Sequence, residues 1–197
     1  MLSIDNSTTT RDRSLRAALD VVRSEGIQEL TTRAIARRSG LTQPAIYRHF
    51  DGKDDLVREV LGEIRALFYF RLERSTIGAT GPDDKLLTAM DAFRDFAMDE
   101  PRLYDALFFQ TSDGAPQPPP VDPARGGNIF GFLVERVTEA GKGGFIRAEG
   151  PVSSALSLAA HAQGLVLLYR QGRFGSRERF AEFYRRSTAD LLRGMGQ

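Results

Sequence analysis

The sequence contains no cysteine and only two histidines, His49 and His161. The missing cysteine excludes disulfides, thiolate catalysis and cysteine metal sites, and it suits a reducing cytoplasm. Neither histidine has a serine or aspartate partner at a recognisable spacing, and no phosphate-binding loop or metal motif occurs. Asp54-Asp55 and Asp83-Asp84 are typical of helix starts rather than of catalytic pairs. We therefore expect no catalytic residues, no metal and no cofactor, and an enzyme is the less favoured alternative.

The first residues, MLSIDNSTTT, lack the basic and apolar blocks of a secretory signal, so we expect a cytoplasmic protein. Long charge-free runs are also scarce. One stretch, from Pro151 to Tyr169, lacks Asp, Glu, Lys and Arg over a length that would allow a membrane span. Polar side chains interrupt it at Ser153, Ser154, Ser157, His161 and Gln163. We expect a helix that protein buries on most sides, and no membrane partner.

Acidic residues are missing from the window between Thr31 and Phe50, although the whole chain has a formal net charge of only +1. The window holds Arg33, Arg37, Arg38 and Arg48, together with threonine, tyrosine and histidine side chains. Such groups are the usual partners of phosphates and of base edges. Because local charge matters more here than the total, the window is predicted to form a nucleic-acid-binding surface.

Apolar residues recur at helical spacing along almost the whole chain, and no run alternates as a strand would. The predicted helices start near Thr9, Thr31, Thr42, Lys53, Pro82, Pro101, Asn128, Pro151 and Arg177. The proline- and glycine-rich stretch from Asp113 to Gly127 is predicted to be a mobile loop. The predicted fold is all-α, with a three-helix N-terminal domain over residues 1–52 and a larger helical domain over residues 53–197.

The second and third predicted helices have the spacing of a helix-turn-helix. This motif needs a small residue where the helices cross, a residue free to take a positive φ in the turn, and an apolar anchor on the second helix. Ala36, Gly40 and Ile46 supply these features in that order after Thr32. An ordinary helical hairpin in a core is the alternative, but it does not need an arginine-rich face without carboxylates.

The segment TTRAIARRSGLTQPAIYRHFDGKDDLV, residues 31–57, closely resembles the N-terminal domain of TetR-family transcriptional regulators. Ser39, Pro44 and Gly52 replace the family's usual alanine, glycine and serine. Pro44 suits a first helical turn, and Gly52 is an acceptable cap. The positions that match the family pattern are Thr31, Ile35, Ala36, Gly40, Tyr47, His49, Phe50, Lys53 and Leu56.

The resemblance implies that the third helix enters the major groove of double-stranded DNA. Gln43, near its N-terminal end, would meet base edges and could form two hydrogen bonds with adenine. Tyr47, His49 and Lys53 are expected to contact phosphates, and Arg48 is expected either at a phosphate or in solvent. The full set of residues expected at the DNA is Thr32, Arg33, Thr42, Gln43, Ala45, Tyr47, Arg48, His49 and Lys53.

The resemblance also implies that the last two helices form a four-helix bundle with those of a second subunit. A homodimer would then bind both halves of a palindromic operator. The C-terminal domain is expected to hold a small-molecule effector, and the scarcity of charges on the middle helices favours an apolar or aromatic one. The residues expected to line this pocket are Phe68, Phe93, Phe96, Tyr104, Phe108, Phe132, His161 and Gln163.

The combined prediction is a sequence-specific transcriptional regulator that binds DNA as a homodimer. It is expected to be a repressor that a small, mostly apolar effector releases from its operator. Two alternatives stay open beside the enzyme. One is a DNA-binding dimer that responds to no effector, and the other is an activator.

Overall fold

The computed structural model describes residues 9–109, 128–144, 146 and 150–195, and within these residues it contains helices and turns but no strand. The prediction of an all-α fold is therefore confirmed. A short 3₁₀ turn at Ile27–Glu29 was not predicted. The loop predicted from Asp113 to Gly127 lies outside the described residues. The helices are α1 (Thr10–Glu25), α2 (Thr32–Ser39), α3 (Gln43–Tyr47), α4 (Lys53–Ser75), α5 (Pro82–Asp99), α6 (Pro101–Phe108), α7 (Ile129–Lys142), α8 (Pro151–Arg170) and α9 (Arg177–Gly194).

Capping side chains fix where the first helices begin. Thr9 Oγ1 accepts a hydrogen bond from the Asp12 backbone N–H at 3.1 Å, and the Asp12 carboxylate accepts one from the Thr9 N–H at 3.1 Å. These two bonds form a capping box at the predicted start of the helix, and the hydrogen bonds with Thr9 lower the pKa of the Asp12 carboxyl. Thr31 caps α2, because its side chain accepts a hydrogen bond from the Ala34 backbone N–H.

The described residues fall into two compact units. The first unit contains the chain up to Arg65 together with the segment that begins at Glu100, and the second contains Ala66–Asp99 and the described residues from Asn128 onward. The domain boundary predicted between residues 52 and 53 stays a prediction. Helix α6, which the sequence analysis placed in the C-terminal domain, packs on α1 inside the first unit.

Apolar side chains from five helices form the core of the first unit. Polar bonds hold α6 to the end of α1: the Arg23 guanidinium donates to the Glu100 carboxylate at 2.9 Å, and Arg102 donates to the Ser24 carbonyl. These bonds join residues that are far apart in the sequence, which is why helical periodicity could not indicate them. The fully buried apolar residues of this core include Ala18, Val22, Ile35, Ile46, Val60, Ile64, Leu103 and Tyr104.

Aromatic stacking and a buried ion-pair network organise the second unit. The Phe68 ring stacks on Phe96 with centroids 4.4 Å apart, and Phe93 meets Phe68 edge-on at 5.8 Å. Arg94 is buried and lies 2.5 Å from the Asp91 carboxylate, which also pairs with Arg185 of α9. The network therefore ties α5 to α9, and each buried charge has a partner of opposite sign.

Helical spacing predicts an apolar face on α4 and another on α9, and both differ in register from the observed faces. The predicted faces are Val57, Val60, Leu61, Ile64 and Phe68 on α4, and Phe180, Phe183, Tyr184 and Leu191 on α9. On α4, Val57 and Leu61 are only half-buried, and on α9 Phe183 is exposed while Leu191 is half-buried. On both helices the buried residues are spaced four positions apart and form one stripe. A residue three positions away from a member of this stripe lies at its edge and is more exposed. The observed stripes are Leu56, Val60, Ile64, Phe68 and Leu72 on α4, and Phe180, Tyr184, Thr188 and Leu192 on α9.

Helix α8 is much more exposed in the single chain than the sequence predicted. Only 28% of its most apolar 18-residue window is buried, so the expectation of a helix buried on most sides is wrong for the chain alone. Among the described helices, α8 also has the length and hydropathy of a membrane span, a test that core helices of other proteins pass as well. Its exposed large apolar residues are Val152, Leu156, Leu167 and Leu168.

Candidate nucleic-acid interface

Helices α2 and α3 form a helix-turn-helix whose turn depends on a glycine. Gly40 ends α2 in the left-handed region, with a φ of +68°, as the motif spacing predicted. Thr42 Oγ1 then caps α3 by accepting from the Ala45 N–H at 3.4 Å, and Pro44 occupies the first turn. Ile46 is completely buried and anchors α3 in the core of the first unit. Helix α3 is therefore anchored in the core although it has only five residues.

The polar residues predicted to meet DNA surround α3 in the first unit. Thr32 and Ala45 are half-buried, and the others in the predicted set are exposed, including Tyr47 at 55%. Among the described residues, no carboxylate lies within ion-pair distance of Arg33 or Arg48. These two guanidinium groups are therefore available to an external anion.

Arg37 and Arg38 differ from each other. Arg38 donates to the Glu25 carboxylate at 2.7 Å and to Ser24 Oγ at 2.8 Å, so it fastens α2 to α1. Arg37 lies 3.9 Å from Glu25 and its side chain is 71% exposed. The sequence indicated both only as members of the arginine-rich window, and it could not show the structural role of Arg38 because its partners lie on another helix.

A hydroxyl on α2 bridges two residues of α3. Thr32 Oγ1 lies 3.4 Å from Gln43 Oε1 and 3.2 Å from the Tyr47 hydroxyl oxygen. The sequence singled out all three residues but did not indicate that they touch, because they are separated by eleven and fifteen positions. Beside them lies a cavity of about 140 Å³, lined by Thr31, Thr32, Tyr47, Lys53 and Leu56. Its hydroxyl groups and ammonium group are suitable donors to a phosphate oxygen.

Two family models match the chain. The description "Bacterial regulatory proteins, tetR family" applies to residues 15–60, and "Tetracyclin repressor-like, C-terminal domain" applies to residues 86–191, more than half of the chain.

The chain belongs to the TetR family.

It is therefore a TetR-family transcriptional regulator with a DNA-binding helix-turn-helix. The tetracycline repressor protein class A from transposon 1721 of Escherichia coli is 45% identical over 53 residues, which cover 25% of this chain and 24% of that protein. The chain thus matches about a quarter of that relative's length. The likeness at this level lies in the DNA-binding segment.

Solved structures extend the likeness of fold over the whole TetR-family chain. A Rhodococcus sp. RHA1 protein described as of unknown function has a TM-score of 0.81 at 21% identity, with complete coverage of both chains. The regulator FadR from Bacillus subtilis, solved in complex with stearoyl-CoA, has a TM-score of 0.69 at 17% identity over 91% of this chain and 96% of that one. At these identities the comparison shows the fold alone.

The structure places the eight residues predicted to bind an effector on five helices, α4 to α8, and their contact with an effector stays a prediction. Phe68, Phe93 and Phe96 pack on one another in the core of the second unit, whereas Tyr104 and Phe108 lie in the first, with ring centroids 4.8 Å apart. This distribution separates residues that the sequence analysis grouped by their aromatic character alone.

The two predicted residues on α8 are half-buried. His161 Nε2 lies 3.4 Å from Ser187 Oγ of α9, and burial lowers the pKa of the His161 imidazole. Gln163 is the second of the two predicted effector residues on α8. Among the described residues, no group of three His, Asp or Glu side chains could hold a metal ion.

Phe132, one of the predicted effector residues, lines a groove in the second unit. A groove of about 360 Å³ runs between the C-terminal half of α4 and α7, and we call it the α4–α7 groove. The Phe132 ring meets Tyr69 edge-on with centroids 5.8 Å apart, while Phe70 and Ile77 are 53% and 78% exposed. The groove is lined by Tyr69, Phe70, Glu73, Arg74, Thr76, Ile77, Phe132, Glu135 and Arg136. The sequence signal that could have indicated this groove is the presence of large apolar residues, Phe70 and Ile77, outside the buried stripe of α4.

Proposed function

We propose that this TetR-family regulator is a cytoplasmic homodimeric repressor that leaves a palindromic operator when a small, mostly apolar effector binds its second unit. The main observation that supports the proposal is the exposed polar face around α3, which lacks carboxylates. Gly40 in the turn and the buried Ile46 hold α3 in place. The repressor assignment is supported by the name of the tetracycline repressor class A, which is 45% identical over the DNA-binding segment.

In this proposal α3 lies in the major groove, with Thr42, Gln43 and Ala45 at base edges. Arg33, at the start of α2, reaches a base or a phosphate. Phosphates are held by Tyr47, Arg48, His49 and Lys53. Lys53 is the first residue of α4, so the N-terminal end of that helix dipole adds to the attraction of its ammonium group.

The exposed face of α8 supports a homodimer. Leu156 and Leu167 are 51% and 48% exposed in the single chain, and Phe183 of α9 adds an apolar ring at 37% exposure. Helices α8 and α9 already pack together, with the Tyr169 and Phe180 rings stacked at 4.4 Å. Apolar patches of this kind mark interaction surfaces. The same two helices of a second subunit would cover the face and form a four-helix bundle.

The α4–α7 groove supports an effector of mixed aromatic and apolar character. Its volume of about 360 Å³ is within the range of small-molecule sites, and Tyr69, Phe70 and Phe132 supply aromatic surface. The similarly folded FadR was solved with stearoyl-CoA, whose stearoyl group is apolar. Effector binding would favour a conformation with lower operator affinity, and useful switching requires a coupling free energy of about 1–3 kcal/mol.

A regulator without an effector is the second candidate. The mutual packing of Phe68, Phe93 and Phe96 favours it, because rings that pack on one another can form a core without a ligand. An apolar interior that is already close-packed offers little room for a ligand.

The first test is a titration of the protein against the DNA immediately upstream of its own gene, at several salt concentrations and with random duplex as competitor. We expect tight, selective binding that weakens as salt rises. Lys53→Ala should weaken binding to every sequence and reduce the salt slope by about 0.9 per subunit, because one phosphate contact is lost. Lys142→Ala, on the last turn of α7, is the matched control and should leave the slope unchanged. Equal slopes for wild type and Lys53→Ala would remove Lys53 from the phosphate contacts.

A further inference from the structure

Thr32 occupies an unusual place for a hydroxyl at the start of a helix. The neighbouring Thr31 caps α2, so the Thr32 side chain is not needed for the cap. Its Oγ1 instead lies 3.4 Å from Gln43 Oε1 and 3.2 Å from the Tyr47 hydroxyl oxygen, and Thr32 is half-buried between these two exposed residues.

Hydrogen-bond chemistry fixes the direction of these contacts. An amide oxygen can only accept, so Thr32 must donate its single hydroxyl hydrogen to Gln43 Oε1. In the free chain the Tyr47 hydroxyl then donates to Thr32 Oγ1, and a phosphate contact of Tyr47 would redirect this hydrogen to the phosphate and leave the bond from Thr32 to Gln43 in place. With Oε1 on the side of Thr32, the chain of donors therefore runs from Tyr47 through Thr32 to Gln43, and it restrains the Gln43 side chain.

We propose that Thr32 is a positioning residue for base reading, which acts by holding the Gln43 amide in the orientation that adenine requires. The bonded Oε1 keeps a second lone pair, and Nε2 keeps its hydrogens. Adenine presents a donor at N6 and an acceptor at N7 in the major groove, so a fixed amide can meet both at once. Without Thr32, the long Gln43 side chain would have to be ordered on binding, at a cost in affinity for the correct base.

This inference rests on the proposed function, in which Gln43 faces base edges. It differs from a phosphate contact by Thr32 in one measurable respect. A phosphate contact strengthens binding to all sequences equally, whereas a positioning residue changes the discrimination between bases at one position of each half-site.

The test uses the full chain and an operator recovered by selection from random duplexes, with each of the four bases placed in turn at every position. Thr32→Val keeps the branched shape and removes the hydroxyl. We expect it to reduce the preference for adenine at one position of each half-site by roughly three- to tenfold, the effect of leaving one long side chain unordered. Thr32→Ser retains the hydroxyl and should retain the preference. The salt slope should be the same in all three proteins.

A double-mutant cycle with Gln43→Ala completes the design. Thr32→Val should have no further effect on base preference once Gln43 is truncated. Equal loss of affinity for all four bases in Thr32→Val, or an undiminished effect in the Gln43→Ala background, would overturn the inference while leaving the base-reading role of Gln43 intact. If Gln43→Ala itself leaves the preference unchanged, the base-reading role fails and the positioning role fails with it. Thermal unfolding of each variant separates these results from a loss of fold.

Discussion

The first compact unit leaves polar residues exposed around α3, whereas the second leaves apolar residues exposed on α8 and beside the α4–α7 groove. The first surface has free cations and hydroxyl groups but no carboxylate in its sequence window, so it suits a polyanion. The second has exposed leucine, phenylalanine and isoleucine side chains, so it suits apolar partners. In the proposed function the first unit therefore recognises DNA, while the second pairs the subunits and binds the effector, so the two roles can be altered separately.

The largest expected effect is that of Ile46→Ala in the first unit. Ile46 is completely buried, and truncation of such a side chain lowers the free energy of unfolding by about 2–5 kcal/mol. Operator binding should be lost because α3 loses its anchor, while sedimentation should still show a dimer. Ile77→Ala, at a residue that is 78% exposed, is the control and should bind the operator normally. Loss of the dimer in Ile46→Ala would show that the units cannot be separated in this way.

The converse change is Leu156→Asp on the exposed face of α8. A carboxylate there would be buried without a partner in the proposed four-helix bundle, so we expect a monomer by sedimentation at micromolar concentration. Operator affinity should fall by at least about tenfold, or roughly 1.4 kcal/mol, because a single half-site is bound. Ile77→Asp introduces the same charge at an exposed apolar residue outside α8. If Leu156→Asp and Ile77→Asp both stay dimeric, the subunits do not associate through the exposed face of α8 as proposed.

A smaller effect is expected from Phe70→Ala in the α4–α7 groove. Phe70 is 53% exposed, so truncation should change stability little. With stearoyl-CoA as an apolar probe of the proposed site, we expect a thermal shift for the wild type and a smaller one for the variant, while operator affinity without ligand should be unchanged. The absence of a shift in the wild type would exclude this ligand. Phe109→Ala, which removes an equally exposed ring in the first unit, is the control. An identical shift in Phe70→Ala and wild type would exclude the groove as the site for this ligand.

The smallest effect concerns the capping box of α1. Thr9 lowers the pKa of the Asp12 carboxyl in the folded state, so the ionised form stabilises the first unit. This stability is present above the unfolded pKa of about 3.9 and is lost as the pH falls through the lower folded value. Asp12→Asn should therefore unfold at a slightly lower temperature than wild type at neutral pH, and the difference should shrink as the pH falls below the unfolded pKa. A difference that does not vary with pH would contradict this origin.

Local features of the first unit could be predicted from the sequence because they depend on neighbouring residues. Gly40 in the turn, Thr42 and Pro44 at the start of α3, and Thr9 with Asp12 at α1 all stand where capping and turn chemistry require them.

Interactions between distant residues could not be predicted in this way. Periodicity showed that α6 is helical, but not that Arg102 and Glu100 tie it to α1. Aromatic residues at helical spacing were expected in a pocket, and the spacing did not indicate that Phe68 and Phe96 stack on each other. Helical spacing identifies which residues face inward, and it does not show whether the inward space is filled by the chain or left for a ligand.

The most direct test of the division between the units is the selection of bound duplexes from a random-sequence pool by the full chain. We predict enrichment of a palindrome whose half-sites lie about one helical turn, or 34–36 Å, apart, because two α3 helices of a dimer must enter successive major grooves. Failure to enrich any sequence, or enrichment of an isolated half-site, would contradict the account that the first unit reads DNA and the second pairs the subunits.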